Sequence, residues 1–193
     1  MNALAIGRAS AGTTPPAGGA LYREDAMATA DVDLRGELAA LHDAAFAWAM
    51  CCCRFVRADA EDALHVAYVK VLDGRATFSG RSAFRTWLFG VIRRTAGEVR
   101  RRELARRLLG GRRDDAAVPR PDELVDAERE RARVRSVLCA LSTRQREVLE
   151  LVIHQALTLD EAAAVLGLSP GTARKHYERG KRALRRALGG EHD

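Results

Sequence analysis

Aromatic residues are scarce in this chain: five Phe, three Tyr and two Trp among 193 residues. Ala, Leu and Arg dominate instead. That composition favours small helical bundles over sheets, whose strands draw on aromatic and β-branched side chains. No stretch comes near the run of about 18 apolar residues that a membrane-spanning helix needs. The beginning of the chain has no basic region followed by an apolar segment, so a cytoplasmic protein without membrane insertion is expected. A G-x4-G-K-[ST] loop is missing, so ATP-driven work is not indicated. Cysteine is sparse and badly spaced for a site. Cys51, Cys52 and Cys53 are consecutive, and on a helix they point about 100° apart, so they cannot converge on one metal. They read, with the distant Cys139, as small hydrophobes in helix packing. His42, His65, His154, His176 and His192 are scattered without metal-ligand spacing. No catalytic constellation, metal or cofactor is expected, and the chain does not read as an enzyme.

What is present is helical periodicity in two blocks. Residues 1–30 carry Pro15-Pro16 and Gly18-Gly19 and read as a disordered tail. In the first block, residues 31–103, one helical face collects Leu38, Leu41, Ala45, Trp48, Ala49, Cys52 and Val56. Asp59 is a candidate cap for a helix running to about Leu72, with Ala60, Ala63, Leu64, Ala67 and Val71 inward. The acids Asp59, Glu61 and Asp62 suit a helix start better than a cation site. After a polar loop, Phe84, Trp87, Leu88, Val91, Ile92 and Thr95 mark another helix, which Ser82 would cap. Their spacing puts Trp87 in the core. Residues 104–121, with Gly110-Gly111, read as a flexible basic linker that leaves the two blocks mutually mobile. The alternative is that Leu104, Leu108 and Leu109 dock onto the second block and hold a closed form.

The second block spans residues 122–189, before a short tail at 190–193. Val134, Val137, Leu138 and Leu141 line its first helix. Ser142 with Gln145, and Thr158 with Glu161, are capping boxes. Between them Val148, Leu149, Val152 and Ile153 point inward. Gly167 stops the next helix, and Ser169-Pro170 starts the last one. Two helices across so short a turn make a helix-turn-helix pattern. On the last helix Ala173, Tyr177, Gly180, Leu184 and Leu188 form the packing stripe. The opposite side offers Gly171, Lys175, Glu178, Arg179, Arg182 and Arg186, with Arg174 and Arg185 at its margin. The predicted architecture is therefore all-α, two small helical domains joined by a flexible basic linker.

Charge is segregated. Residues 93–113 hold nine Arg and two Glu, a balance of +7, and residues 170–188 hold seven Lys or Arg and one Glu, a balance of +6. The whole chain is only +6, so the remainder is net acidic. Two basic surfaces on two domains point to two contacts along one nucleic acid. At this level a stand-alone helix-turn-helix regulator, or a decoy that sequesters an inhibitory protein, would fit as well.

Three stretches carry a family resemblance: "DAEDALHVAYVKVL" at 59–72, "FRTWLFGVIRRTAGEVRRR" at 84–102 and "LSTRQREVLELVIHQALTLDEAAAVLGLSPGTARKHYERGKRALRRAL" at 141–188. In this order and spacing they resemble a bacterial RNA polymerase sigma factor of the sigma-70 family, of the compact extracytoplasmic-function (group 4) type. The resemblance implies core RNA polymerase and promoter DNA as partners, with a cognate anti-sigma factor. It implies that Asp62, His65, Val66 and Val69 bind core polymerase, and that Arg85, Arg93, Arg94, Arg100 and Arg101 lie on the −10 surface. The loop from Gly74 to Ser82 would receive a flipped base. Gly171, Thr172, Arg174, Lys175, Glu178, Arg179 and Arg182 would fall on the −35 recognition helix. The chain departs from the family pattern at His65-Val66, where Gln-Glu is usual, at Arg94, commonly Asn, and at Glu178, often His.

Overall fold

The computed structural model describes residues 34–109 and 126–188, and every regular element in them is helical. The tails read at 1–30 and 190–193, and the linker beyond residue 109, lie outside the described residues.

The first domain is built from α1 (residues 34–40), α2 (His42–Cys52), α3 (Arg57–Leu72) and α4 (Phe84–Leu108). Trp48 sits at its centre, fully buried. Its indole Nε1 donates to the Phe89 carbonyl at 2.9 Å, and its ring stacks on Phe89 at 6.0 Å. The bond satisfies the one polar atom that so large a buried side chain brings with it. The inner face of α3 is the one its periodicity indicates, with Ala60, Ala63, Leu64, Ala67 and Val71 buried against the neighbouring helices. These alanines are small enough to let α3 and α4 approach closely.

Two expected caps are placed differently. Helix α3 starts at Arg57, so Asp59 lies inside its first turn and is buried, and Val56 is the N-cap residue rather than part of the apolar face. Helix α4 starts at Phe84, and the Ser82 hydroxyl donates to the Ala83 carbonyl instead of accepting an amide. Helix α4 also continues to Leu108, past the expected domain edge at 103.

The second domain comprises α5 (Asp126–Ala140), α6 (Thr143–Leu149), α7 (Leu159–Leu166) and α8 (Pro170–Leu188). Both capping boxes are formed as the sequence indicates. Gly167 closes α7 at φ 63°, a left-handed conformation natural to glycine. Ser169 Oγ accepts from the Thr172 amide at 3.2 Å and caps α8. One inward position is corrected. Helix α6 runs into a π-helical turn at Glu150–His154, which widens the helix there and shifts the faces of the residues in it. Leu151 becomes buried and Ile153 is left 56% exposed.

Gly180 packs where α8 crosses α6, and a Cβ there would meet Leu149 Cδ1 at 2.9 Å and Gln145 Cβ at 3.3 Å. Gly180→Val is expected to cost about 1–3 kcal/mol by overpacking this crossing, read as a lower urea midpoint.

The two domains are not apart. Helix α4 packs against α7, α2 meets α6, and one apolar cluster runs from Trp48 through Ile92 to Leu166. The leucines do not make this contact: Leu104, Leu108 and Leu109 are 59%, 80% and 88% exposed. The contact explains the cysteines. One domain would cover only one side of α2, but the second domain covers the other side of its end. Cys51, Cys52 and Cys53 are therefore all buried. Burial pushes all three thiols up, Cys53 to about 12, so they are held as neutral packing groups.

Candidate nucleic-acid interface

The loop between α3 and α4 turns at Gly74 and Gly80, both at positive φ. The Ala76 amide donates to the Lys70 carbonyl at 2.8 Å, which ties the loop to the end of α3. Phe78 then folds back over α4, 5.4 Å from Phe84 and 5.3 Å from Trp87 between ring centroids. Under this loop lies a cleft of about 290 Å³ bordered by Lys70, Arg75, Trp87, Arg94, Thr95 and Glu98. Lys70 Nζ bonds Glu98 Oε2 at 2.7 Å and Thr95 Oγ1 at 3.3 Å. The Lys70 ammonium holds the Glu98 carboxyl below its ordinary range, so the cleft floor carries a formed ion pair at neutral pH.

Trp87 is half-buried and borders this cleft, rather than lying wholly in the core. Lys70, Thr95 and Glu98 line the cleft and were not named as candidates from the sequence, whereas Phe78 lies in the 74–82 loop that was. Lys70 and Glu98 are 28 positions apart and carry no joint signal. A lone aromatic in a glycine-turned polar loop was the available hint for Phe78.

The five arginines assigned to the −10 surface divide by environment. Arg94 and Arg101 are exposed. Arg93 bonds Glu147 of the second domain at 3.2 Å, Arg85 bonds Gln155, and Arg100 donates to the Cys52 carbonyl at 3.3 Å.

On α3, Asp62 and His65 are exposed, with Val66 and Val69 half-buried beside them. Next to this face a groove of about 380 Å³ is lined by Arg35, Leu38, Ala39, His42, Tyr68 and Leu72. Burial pushes the Tyr68 phenol up to about 12.

Helix α8 presents Gly171, Arg174, Lys175, Glu178, Arg179 and Arg182 to solvent. Thr172 is half-buried and its hydroxyl lies 2.8 Å from Ser169 Oγ, so it completes the cap. The stripe beneath packs as its spacing indicates, with Ala173 and Gly180 buried and Tyr177, Leu184 and Leu188 half-buried. A helix with small residues at its entry and cations along its free face has the form that enters a major groove between phosphates. Among the described residues there is no metal-binding cluster and no helix long and apolar enough to cross a membrane.

Residues 44–113 match the family model for sigma-70 region 2, and residues 131–184 match that for sigma-70, region 4. The chain is 31% identical over 135 residues to an ECF RNA polymerase sigma factor, SigX of Bacillus subtilis, covering 66% of this chain and 70% of the relative. Among solved structures it is similar to the sigma factor RpoE in complex with the anti-sigma factor NepR from Bartonella quintana. That match has a TM-score of 0.66 at 23% identity and covers 82% of this chain and 98% of the other. It is also similar to CnrH in complex with the cytosolic domain of CnrY, with a TM-score of 0.59 at 27% identity, covering 81% and 88%.

Proposed function

Given that the chain belongs to the ECF RNA polymerase sigma factors of the sigma-70 family, we propose how its own residues divide the work of that family. A sigma factor binds core RNA polymerase and directs promoter recognition. It is not an enzyme, because the chemistry of RNA synthesis stays with the polymerase.

Residues 31–103 form the polymerase and −10 unit, 122–189 the −35 unit, and 104–121 the linker between them. The cleft between the 73–82 loop and α4 carries the proposal. It is about 290 Å³, apolar on its Trp87 side and polar at Lys70 and Glu98, with the exposed Arg94 at its rim. Such a cleft suits one unstacked nucleobase with its phosphate on the arginine. Opening a promoter then draws on binding energy: extruding a base costs a few kcal/mol, and holding it beside an aromatic face returns about 1–3 kcal/mol. Arg94 and Arg101 hold the backbone of the separated strand. Arg174, Lys175, Glu178, Arg179 and Arg182 engage the −35 duplex, with Gly171 and the Ser169–Thr172 cap bringing the start of α8 close.

Core polymerase is met by α3, whose exposed Asp62 and His65 stand beside Val66 and Val69. Asp62→Lys is expected to weaken core binding by about tenfold or more through charge reversal at the contact, with helicity unchanged by circular dichroism. An unchanged affinity in a titration at physiological salt would move the contact elsewhere. A cognate anti-sigma factor is the third partner, in keeping with the two similar structures. The site of action is the cytoplasm.

The function is tested by transcription reconstituted with core polymerase on a randomised promoter library. Initiation should depend on this chain and enrich paired −35 and −10 sequences. Enrichment of a duplex element without initiation would return the chain to the stand-alone regulators.

A further inference from the structure

Three leucines at the end of α4 stand in solvent. Leu104, Leu108 and Leu109 are 59%, 80% and 88% exposed, and none of them lines either cleft described above. The Leu109 amide still donates to the Ala105 carbonyl at 3.1 Å, so the helical turn carries through it. At about 100° per residue the three side chains span about 140° of the helix surface, with the exposed Ala105 between them. The opposite side is held by the protein. Glu103 is buried there and pairs with Arg106 at 3.2 Å, and Val99, one turn earlier, packs against the apolar cluster. The leucines therefore point away from the body of the molecule.

The rim of this apolar strip is cationic. Residues 100–109 hold five Arg and one Glu, a balance of +4. Arg102 and Arg106 are exposed and border the Leu109 edge, and the exposed Arg101 stands one turn before Leu104. We propose that this helix end is a peripheral docking surface for an anionic phospholipid membrane. Leu104, Leu108, Leu109 and Ala105 enter the boundary between headgroups and acyl chains, while the arginines extend to the lipid phosphates. The helix end lies on the membrane and does not span it, and so short a strip gives reversible binding.

Charge and shape select lipid over other occupants. A second copy would bring the same arginines face to face, and like charges oppose that contact. A nucleic acid would answer the arginines but leave most of the leucine surface in water. A partner helix needs a groove, whereas these leucines project from a convex helix end. A lipid boundary takes the apolar strip and its cationic rim together. The surface is also distinct from the −10 reading, because of its rim only Arg101 is shared.

The test uses the full chain and vesicles of phosphatidylcholine, alone or mixed three to one with phosphatidylglycerol. At physiological salt, binding to the anionic vesicles should be at least tenfold stronger than to the neutral ones and should weaken as salt rises. An environment-sensitive fluorophore on a non-natural residue at Ala105 should shift to the blue on binding. Leu104→Asn with Leu108→Asn should lower the partition at least tenfold, with helicity and binding to single-stranded DNA unchanged. Arg102→Gln should lower it about fivefold, the share of one arginine near an anionic surface. Leu109→Asn alone gives a smaller loss and serves if the double variant does not fold. Equal binding to both vesicles, or none to either, overturns the proposal. Anionic binding that the leucine variants leave unchanged also overturns it, since charge elsewhere, as on α8, then accounts for the adsorption. Self-association or core polymerase binding that the leucine variants abolish, without vesicle binding by the parent, would assign the strip to a protein contact and overturn the lipid reading.

Discussion

Alanine at Arg174, Lys175 and Arg179 together is expected to reduce affinity for the −35 duplex by at least about a hundredfold. All three side chains are exposed on the free face of α8, and the packing of that helix runs through Ala173, Tyr177 and Gly180 instead. The fold should therefore survive. A base-edge contact is worth about 1–3 kcal/mol of discrimination when lost, whereas each phosphate contact contributes about 0.9 to the slope of log affinity against log salt. Anisotropy titrations at several salt concentrations, on a randomised −35 duplex library, separate the two roles for each single variant. A side chain that reads a base changes the preferred sequence, and one that holds a phosphate lowers the slope and weakens all sequences alike. A triple variant that binds as tightly as the parent, with the same slope, would mean that α8 does not enter the groove.

The second large effect is on stability. Trp48→Ala should cost about 3–5 kcal/mol from the emptied volume, and it also loses the indole hydrogen bond to Phe89. Trp48→Phe keeps part of the volume but loses the indole hydrogen bond, so it should fall between alanine and the parent. Because the apolar cluster continues from Trp48 into the second domain, denaturant melts followed by far-ultraviolet circular dichroism should show one transition moving as a whole. Two separated transitions, only one of them shifted, would show that the cores fold independently.

Sequence and structure agree best where interactions are local. Ser142 with Gln145, Thr158 with Glu161 and Ser169 with Thr172 are each three residues apart. Both ends of such a bond lie on one short piece of chain, so the residue types at that spacing are nearly sufficient to indicate it. The same holds for the α8 stripe, whose period is a property of one helix. Ile153 broke that rule, because a π turn changes the period partway along and nothing in ELVIH announces it.

The sequence by itself therefore determined that the chain is helical, where the helix-turn-helix begins and ends, which face of α8 is cationic, and the family to which the motifs belong. Tertiary structure decided which arginines of α4 are exposed. Arg85, Arg93 and Arg146 find their partners 70, 54 and 95 positions away. By resemblance the sequence puts Arg85 and Arg93 on the −10 surface, and it carries no sign of these distant partners. Tertiary structure also decided that three consecutive cysteines could all be buried, because two domains close on α2 from different sides. Local patterning reports one helix face at a time. A seam between domains is set by which faces meet, and that is a property of the assembled chain.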